Sequence, residues 1–248
     1  MEYLTDHLKN ITKNGFTVFE NVYTKHEVEA IIADIEQIDQ NSSKFRKTND
    51  LFAIRQFLKE VPAIKELVFS DRLKQLISDI FGGDYFVVKS IYFDKPESSN
   101  WFVAWHQDLT IAVDRKVELP GFVNWTKKLD AFAVQPPLPI LQDNFTVRIH
   151  LDDTNENNGA LKVVPASHKK GIYRPEQIEA ERSCSVKAGG IMFMRPLLMH
   201  SSDRSTGNRK RRVIHIEFSR VELPCEINWA EKEYYQIIDN STQPCASH

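Results

Sequence analysis

Three residues of this chain could together grip one metal ion. His106 and Asp108 stand two apart in Asn100-Trp-Phe-Val-Ala-Trp-His-Gln-Asp-Leu-Thr110, a segment rich in aromatic and apolar residues. On a strand, residues i and i+2 project from the same face. An imidazole and a carboxylate would then sit side by side, roughly 7 Å apart at the backbone. His200, in Arg195-Pro-Leu-Leu-Met-His-Ser201 at the end of a buried-looking strand, is the best third donor. Two imidazoles and one carboxylate leave coordination positions open, the facial arrangement of non-heme iron(II) sites. If both histidines are ligands, each must donate its other ring N–H to an acceptor behind it. The plainer reading of either one is a hydrogen-bonded core histidine.

A second piece of chemistry lies just downstream. Arg211 and Arg212 follow His200 across the polar stretch Ser202-Asp-Arg-Ser-Thr-Gly-Asn208, which reads as a hairpin turn. That would set the start of the last strand beside the strand bearing His200. An arginine pointing inward there is a buried cation that needs an anion. A ligand carboxylate held through two parallel N–H···O bonds would satisfy it. Alternation puts Arg211, Val213, His215 and Glu217 on one face and Arg212, Ile214, Ile216 and Phe218 on the other. It leaves open which arginine faces in, and both could be solvated.

The elements that must position these groups change character along the chain. Residues 3–14 read as an amphipathic helix stopped by Gly15, and Phe16-Thr-Val-Phe19 as a short strand. Thr24 opens a capping box with Glu27, and Val28, Ile31, Ile32, Ile35 and Ile38 give 25–39 one buried helical face. Residues 42–50 read as a loop, and 51–58 as a strand or a helical turn. Pro62 suits the start of a short helix through Phe69. Ser70 or Asp71 caps another helix that Gly82-Gly83 ends. From Tyr85 the period becomes two: strands are expected at 85–94, 101–113, 145–151, 160–164, 190–194 and 211–219. Residues 114–143 show no clear period. A structureless stretch of that length is usually functional or mobile, which predicts a lid over the site carrying Phe122 and Trp125. Helices first, then short turn-punctuated strands, predict one mainly β domain with packed helices, a sandwich or jelly roll. Its parts would be a mainly helical 1–83, a jelly-roll core at 84–220 that includes the lid, and an extension at 221–248.

Composition narrows the function classes. The chain has 248 residues, 42% hydrophobic and 27% charged, with a net charge of -2. Acids and bases are interspersed, which argues against a nucleic-acid or membrane partner; the one basic run, Asn208-Arg-Lys-Arg-Arg212, is short. Three scattered cysteines without a C-x-x-C predict neither a disulfide framework nor structural zinc, and a cytoplasmic location. The first residues do not resemble a signal or transit peptide. No apolar run approaches the ~20 residues of a membrane span, and Cys-Ala-Ser-His248 is not a peroxisomal or prenylation tail. Oligomeric state is not legible.

Four motifs in register resemble the phytanoyl-CoA dioxygenase family of Fe(II)/2-oxoglutarate-dependent oxygenases. They are His106-Gln-Asp108, Asn158-Gly-Ala-Leu-Lys-Val-Val-Pro-Ala-Ser-His168, Gly189-Gly-Ile-Met-Phe-Met-Arg195 leading to His200, and Arg211 at the family's spacing. The opening Gly15-Phe-Thr-Val-Phe19 with its helix is similar too, so the resemblance spans nearly the whole chain. It implies a double-stranded β-helix, a cupin-like jelly roll. It implies Fe(II) on His106, Asp108 and His200, 2-oxoglutarate with its far carboxylate on Arg211, and O2 as oxidant. The expected reaction oxidises a C–H bond of a small-molecule or acyl substrate and releases succinate and CO2. Related halogenases have a small residue where this chain has Asp108, so a carboxylate there implies hydroxylation or a kindred oxidation. Where the family commonly has Pro-Gly-Ser-His, this chain has Pro165-Ala-Ser-His168. Thr146 and Arg148 on one strand face, and Lys89 on a neighbouring strand, are further expected cosubstrate contacts. His150 and His215 read as core or supporting residues, and His168 as a turn-stabilising one. Two rival readings remain: a zinc hydrolase on the same triad, and a sensor that binds metal or 2-oxoglutarate without turnover. No H-E-x-x-H supplies the base that a hydrolase of that type would use.

Overall fold

The computed structural model describes residues 2–38, 45–47, 52–97, 101–128, 131–178, 180–205 and 209–235, with backbone only at 45–47. Fourteen strands are found among them: β1 (Phe16–Phe19), β2 (Phe45–Lys47), β3 (Phe52–Arg55), β4 (Phe86–Lys95), β5 (Val103–His106), β6 (Ile111–Val113) and β7 (Val123–Lys128), then β8 (Ala131–Gln135), β9 (Phe145–His150), β10 (Leu161–Val163), β11 (Arg182–Cys184), β12 (Ile191–Met194), β13 (His200–Ser202) and β14 (Arg211–Ser219). They form three antiparallel sheets. The large one runs β1-β12-β9-β14-β4-β3-β2, the small one β11-β10-β13-β5, and the third β6-β8-β7. The chain passes between the first two repeatedly: β4 to β5, β9 to β10, β11 to β12 and β13 to β14. That alternation is the double-stranded β-helix.

Side-chain parity explains why the large sheet has two unlike faces. Phe145, Val147 and Ile149 on β9, with Ile214, Ile216 and Phe218 on β14, join one apolar cluster with Ile31 and Ile35 of the helix Lys25–Glu36 and Leu73 and Ile77 of the helix Asp71–Phe81. Each such side chain contributes about 1.5–3 kcal/mol on burial, which offsets the cost of the polar residues between them. Those residues, Thr146, Arg148 and His150 on β9 and Arg211, His215 and Glu217 on β14, take the other face. Strand register aligns them in rows: Thr146, Glu217 and Lys89 in one, Arg148, His215 and Ile91 in the next. Both helices carry the expected caps, the Thr24/Glu27 box and Ser70 accepting from the Leu73 amide.

Several expectations are corrected. The stretch 42–50, read as a loop, contains the strand β2, which with the expected strand β1 and with β3 extends the large sheet. Residues 62–69 form a 3-10 turn, Pro62–Ile64, and one α-turn, Lys65–Val68. Residues 114–143 are not structureless: they hold β7, β8 and the helix Leu138–Asp143. Strand β7 is exposed or half-exposed along its whole length, so no one-sided burial imposes a period of two. The strands flanking the expected hairpin do not pair, since β13 and β14 belong to different sheets; residues 206–208 of that turn lie outside the described residues. His200 begins a strand rather than ending one: β12 stops at Met194, and Leu197 turns the chain with φ +63°.

Two local features carry predictions. Ala166, at the family's glycine position, has φ +64°. A Cβ in that left-handed region costs roughly 1–2 kcal/mol, partly offset by the smaller freedom alanine has when unfolded. Ala166→Gly is therefore expected to raise the melting temperature by about 1–3 °C, measured by calorimetry. The second is Glu231, in the segment after β14 that bridges back through Val113↔Trp229 and Val87↔Glu233. It is buried, accepts from the Ser90 amide at 2.8 Å, and also bonds the Ser90 hydroxyl. Burial pushes its carboxyl up to about 7, outweighing the Ser90 hydrogen bonds. A raised carboxyl supports the fold fully below its unfolded value and loses that support as pH rises through 7. Glu231→Gln keeps both contacts without the charge. It is expected to flatten stability between pH 5 and 8 and to exceed wild type at pH 8 by up to about 3 kcal/mol, read from urea melts at both pH values.

Candidate metal centre

The site forms where β13 of the small sheet meets its edge strand β5. Register places His200 directly opposite His106 across β13 and β5, and their rings lie 4.2 Å apart, centroid to centroid. Asp108 lies beyond the end of β5, so the i, i+2 strand geometry does not hold. Gln107 stands between His106 and Asp108. Its buried amide donates to the carbonyls of Gly171 (2.9 Å) and Leu197 (2.6 Å) and accepts from the Tyr173 amide (2.8 Å), which anchors the chain between the two donors where the strand ends. The Asp108 carboxylate nevertheless reaches both rings. Its oxygens are 3.9 Å from His106 Nε2 and 3.7 Å from His200 Nε2. One donor atom from each residue lies within 4.8 Å of the others, the one such grouping of the three among the described residues with this composition.

Protonation suits a cation at the centre. His106 Nδ1 lies 2.8 Å from the Ala104 carbonyl, and His200 Nδ1 2.8 Å from that of Leu198. A carbonyl only accepts, so each Nδ1 carries the proton and each Nε2 offers a lone pair. These are the acceptors that the ligand reading requires. Burial, above all, brings His200 down to about 4, so it is neutral near pH 7. Burial opposes ionisation of Asp108, but His200 and Lys89 outweigh it and hold the carboxyl below its ordinary range.

Beside the three donors opens a cavity of about 140 Å³, lined among others by Trp101, Arg148, Arg211 and His215. Arg211 is 5% exposed. It donates to the Gly159 carbonyl and, at 3.4 Å, to Ser202 Oγ, while its Nε has no partner. Gly159 sits at φ +77°, where a Cβ would come within 2.6 Å of the Asp203 carbonyl oxygen, so the Asn158-Gly159 turn that seats Arg211 needs glycine. Burial, with Arg148 adding to it, pushes Arg211 down to about 9. Arg148 is also buried; burial brings it to about 10, and its Nε too is unpartnered. No carboxylate among the described residues forms an ion pair with either arginine. Arg212 differs: it makes a two-pronged pair with Asp152 at 2.8 and 2.9 Å. Arg211 is thus the inward arginine on physical grounds.

The other expected contacts divide. Lys89 lines the cavity, but its ammonium is 2.5 Å from Glu217, which His215 Nε2 also meets at 3.1 Å; His215 Nδ1 in turn lies 3.3 Å from Arg148. Thr146 lies elsewhere, in a recess with Asp108, His200, Asn144 and Glu217 and apart from Arg211, because two residues along β9 carry it about 6.6 Å away from Arg148. Phe122 is buried in a cluster with Ile111, Val113 and Trp229, against which Trp125 packs. Neither lines the cavity of the three donors, so the lid assignment for them is corrected. His150 donates to or accepts from Thr154 and is held neutral by burial. Gln107 was not singled out from sequence, although a glutamine between two candidate ligands in an apolar strand was a usable signal.

A jelly roll whose small sheet presents two imidazoles and a carboxylate, with buried unpaired guanidiniums beside them, defines the class of 2-His-1-carboxylate β-helix proteins. Comparison with known proteins agrees. Residues 11–213 match the family model described as phytanoyl-CoA dioxygenase (PhyH), and the chain belongs to that family. Ectoine dioxygenase of Bordetella bronchiseptica is 26% identical over 175 residues, 67% of this chain and 50% of that one. A probable alpha-ketoglutarate-dependent hypophosphite dioxygenase of Stutzerimonas stutzeri is 27% identical over 185 residues, 68% of this chain and 55% of that one. The chain therefore spans about half the length of the curated relatives it matches. Among solved structures, the non-heme alpha ketoglutarate dependent epimerase SnoN superposes with TM-score 0.68 at 15% identity, covering 88% of this chain and 82% of that one. HygX from Streptomyces hygroscopicus, solved with nickel and 2-oxoglutarate, gives 0.63 at 16% identity, covering 86% of both chains. At these identities the likeness speaks for the fold.

Proposed function

We propose that the protein is an Fe(II)- and 2-oxoglutarate-dependent oxygenase acting on a small molecule. The observation that carries this reading is the coincidence of two unmet demands in one cavity. Three donor atoms converge on one point, and two buried arginines face the cavity with no carboxylate ion partner among the described residues. A metal cation with a dicarboxylate answers both. The donor set fits iron: two imidazoles and a carboxylate, with no cysteine lining the cavity among the described residues. His106, Asp108 and His200 would hold it, and Arg211, supported by Arg148, would take the far carboxylate of 2-oxoglutarate. Iron(II) with 2-oxoglutarate supplies O2 activation, coupled to loss of CO2 and formation of succinate.

The chain's own residues do the rest. The carbonyls of Ala104 and Leu198 hold both imidazoles in one tautomer and orientation. Gln107 sets the separation of the His106 and Asp108 donors. Glu217 and His215 link Lys89 to Arg148 by hydrogen bonds, which fixes both cations before ligand arrives. The small-molecule acts named for the relatives, on ectoine and hypophosphite, favour a small substrate here as well. The described cysteines, Cys184 and Cys225, are free thiols, which favours a reducing compartment such as the cytoplasm. Among the described residues no helix is long and apolar enough to cross a membrane.

The test is an anaerobic titration with Fe(II) and 2-oxoglutarate, followed by the visible charge-transfer absorption of the chelate. The expected result is a saturable band and, in air, succinate formation. Tight zinc binding with no band would replace this reading with a hydrolase. A band without any consumption of 2-oxoglutarate would favour a sensor.

A further inference from the structure

The inner face of β9 carries polar residues past the metal centre. Asn144 stands immediately before β9 with extended backbone (φ -68°, ψ 161°), so it continues the row of Thr146 and Arg148. Two residues of strand advance the row by about 6.6 Å. Arg148 lies in the cavity with Arg211, whereas Thr146 and Asn144 line a separate recess of about 20 Å³. Asp108 and His200 border both spaces. The metal donors therefore stand between the arginine cavity and this recess.

The recess holds polar groups that the protein itself leaves unmet. Asn144 is 5% exposed, and its Oδ1 has no hydrogen-bond partner. No side-chain hydrogen bond of Asn144 or Thr146 is found among the described residues. A buried amide without a partner works against the folded state, so its place here calls for a ligand. Half a turn of the amide presents either its N–H or its C=O to the recess. Glu217 pairs in register with Thr146 and lines the recess as well. Its contacts with Lys89 and His215 both use Oε1, which leaves Oε2 as an acceptor among the described residues.

Charge decides what kind of group fits. Arg195 is in the wall, but its guanidinium lies over the Phe81 ring, 5.1 Å from the centroid. Asp108 and Glu217 would repel a ligand carboxylate. A ligand ammonium would face the metal cation and the Lys89 ammonium behind Glu217. The volume has room for a group of about the size of one water. A hydroxyl is that small, is neutral, and both donates and accepts.

Resting on the oxygenase reading, we propose that this recess is the polar subsite of the substrate and takes an alcohol hydroxyl, held by the Asn144 amide with Thr146 and Glu217. The substrate is then a hydroxyl-bearing small molecule whose hydroxyl end is uncharged and lies against Asp108 and His200.

The test is calorimetric binding of cyclohexanol, benzyl alcohol and 1,2-propanediol to the protein loaded anaerobically with Fe(II) and 2-oxoglutarate. Cyclohexylamine, benzylamine, cyclohexanecarboxylate and benzoate are the charged comparisons. Expected is binding by one or more of the alcohols, about tenfold or more tighter than the charged compounds. Asn144→Leu, of similar volume, is expected to weaken alcohol binding about tenfold. Its metal-free form should melt at or above wild type, because the amide has no partner to lose. Thr146→Val, which exchanges a hydroxyl for a methyl group, should weaken binding about threefold or more. If Asn144→Leu is not folded, Thr146→Val decides. Binding of no alcohol, or amines or acids that bind as well as the alcohols, overturns the proposal. So does wild-type affinity in a folded Asn144→Leu, which would leave the recess to an ordered water only. The wild-type Fe(II)/2-oxoglutarate band is recorded first. Its absence defeats the oxygenase reading, whereas a normal band without alcohol binding defeats only the subsite.

Discussion

His200→Ala is expected to lower affinity for Fe(II) by well over a hundredfold and to abolish succinate formation. The bound follows from the geometry. Even partners that merely orient a metal ligand are worth about 10–100-fold in affinity, and His200 is itself one of the three converging donors. His200 is 7% exposed, so truncation also leaves a hole. The diagnostic comparison is therefore His200→Gln, which retains most of the volume. Both variants should keep the circular dichroism of the parent while failing to bind Fe(II) in an equilibrium titration. Retention of wild-type affinity in either variant would remove His200 from the metal centre. Loss of affinity together with loss of fold in both would make it a core histidine.

Arg211→Met is expected to separate stability from ligand binding. The guanidinium is buried, flanked by Arg148 and without a carboxylate ion partner among the described residues, so its charge works against the folded state. A neutral side chain of similar length removes that cost, at the loss of hydrogen bonds to Gly159 and Ser202. The melting temperature of the metal-free variant should equal or exceed that of wild type. Affinity for 2-oxoglutarate should fall by about 30-fold or more, since removing one member of a buried charge pair costs about 2–5 kcal/mol. The readout is the 2-oxoglutarate dependence of the visible band, with Arg212→Met as the contrast. Arg212 is already paired with Asp152, so its replacement should leave the titration where it was. A variant in which Arg211→Met melts early and still binds 2-oxoglutarate normally would reverse the assignment.

Parity and spacing made part of this legible before any coordinates. On β14 the alternation of Arg211, Val213, His215 and Glu217 with Ile214, Ile216 and Phe218 is written in the residues, because one face meets helices and the other a cavity. The helices Lys25–Glu36 and Asp71–Phe81 announce themselves through caps that are chemically specific. What sequence cannot express is a contact between strands that are far apart in the chain. Neither the crossing from β13 to β14 nor the pairing of His106 with His200 has a local signal; the choice of Arg211 over Arg212 rests on Asp152, some sixty residues away. The insert was misread for a different reason. Strand β7 is exposed on both faces, so the residues there answer to no buried surface and show no rhythm. Asp108 was assigned the neighbours it has, but not by strand pleat, since β5 ends at His106 and Asp108 reaches the two rings from beyond it.

The facing pair His106 and His200 has a consequence for how the chain assembles. Strand β13 is three residues long, and its register with β5 shifts just after His200. This is a brief, long-range ladder, the kind of closure that contributes little until most of the topology exists. No half-folded chain can present the three donors at once, so a bound cation would reward only the finished fold, by mass action on the native state alone. The ion would act as a clasp across the ninety-odd residues between its two histidines. Scarcity of metal would then be felt first as a loosening of that seam, before any loss of the helix-backed sheet behind it.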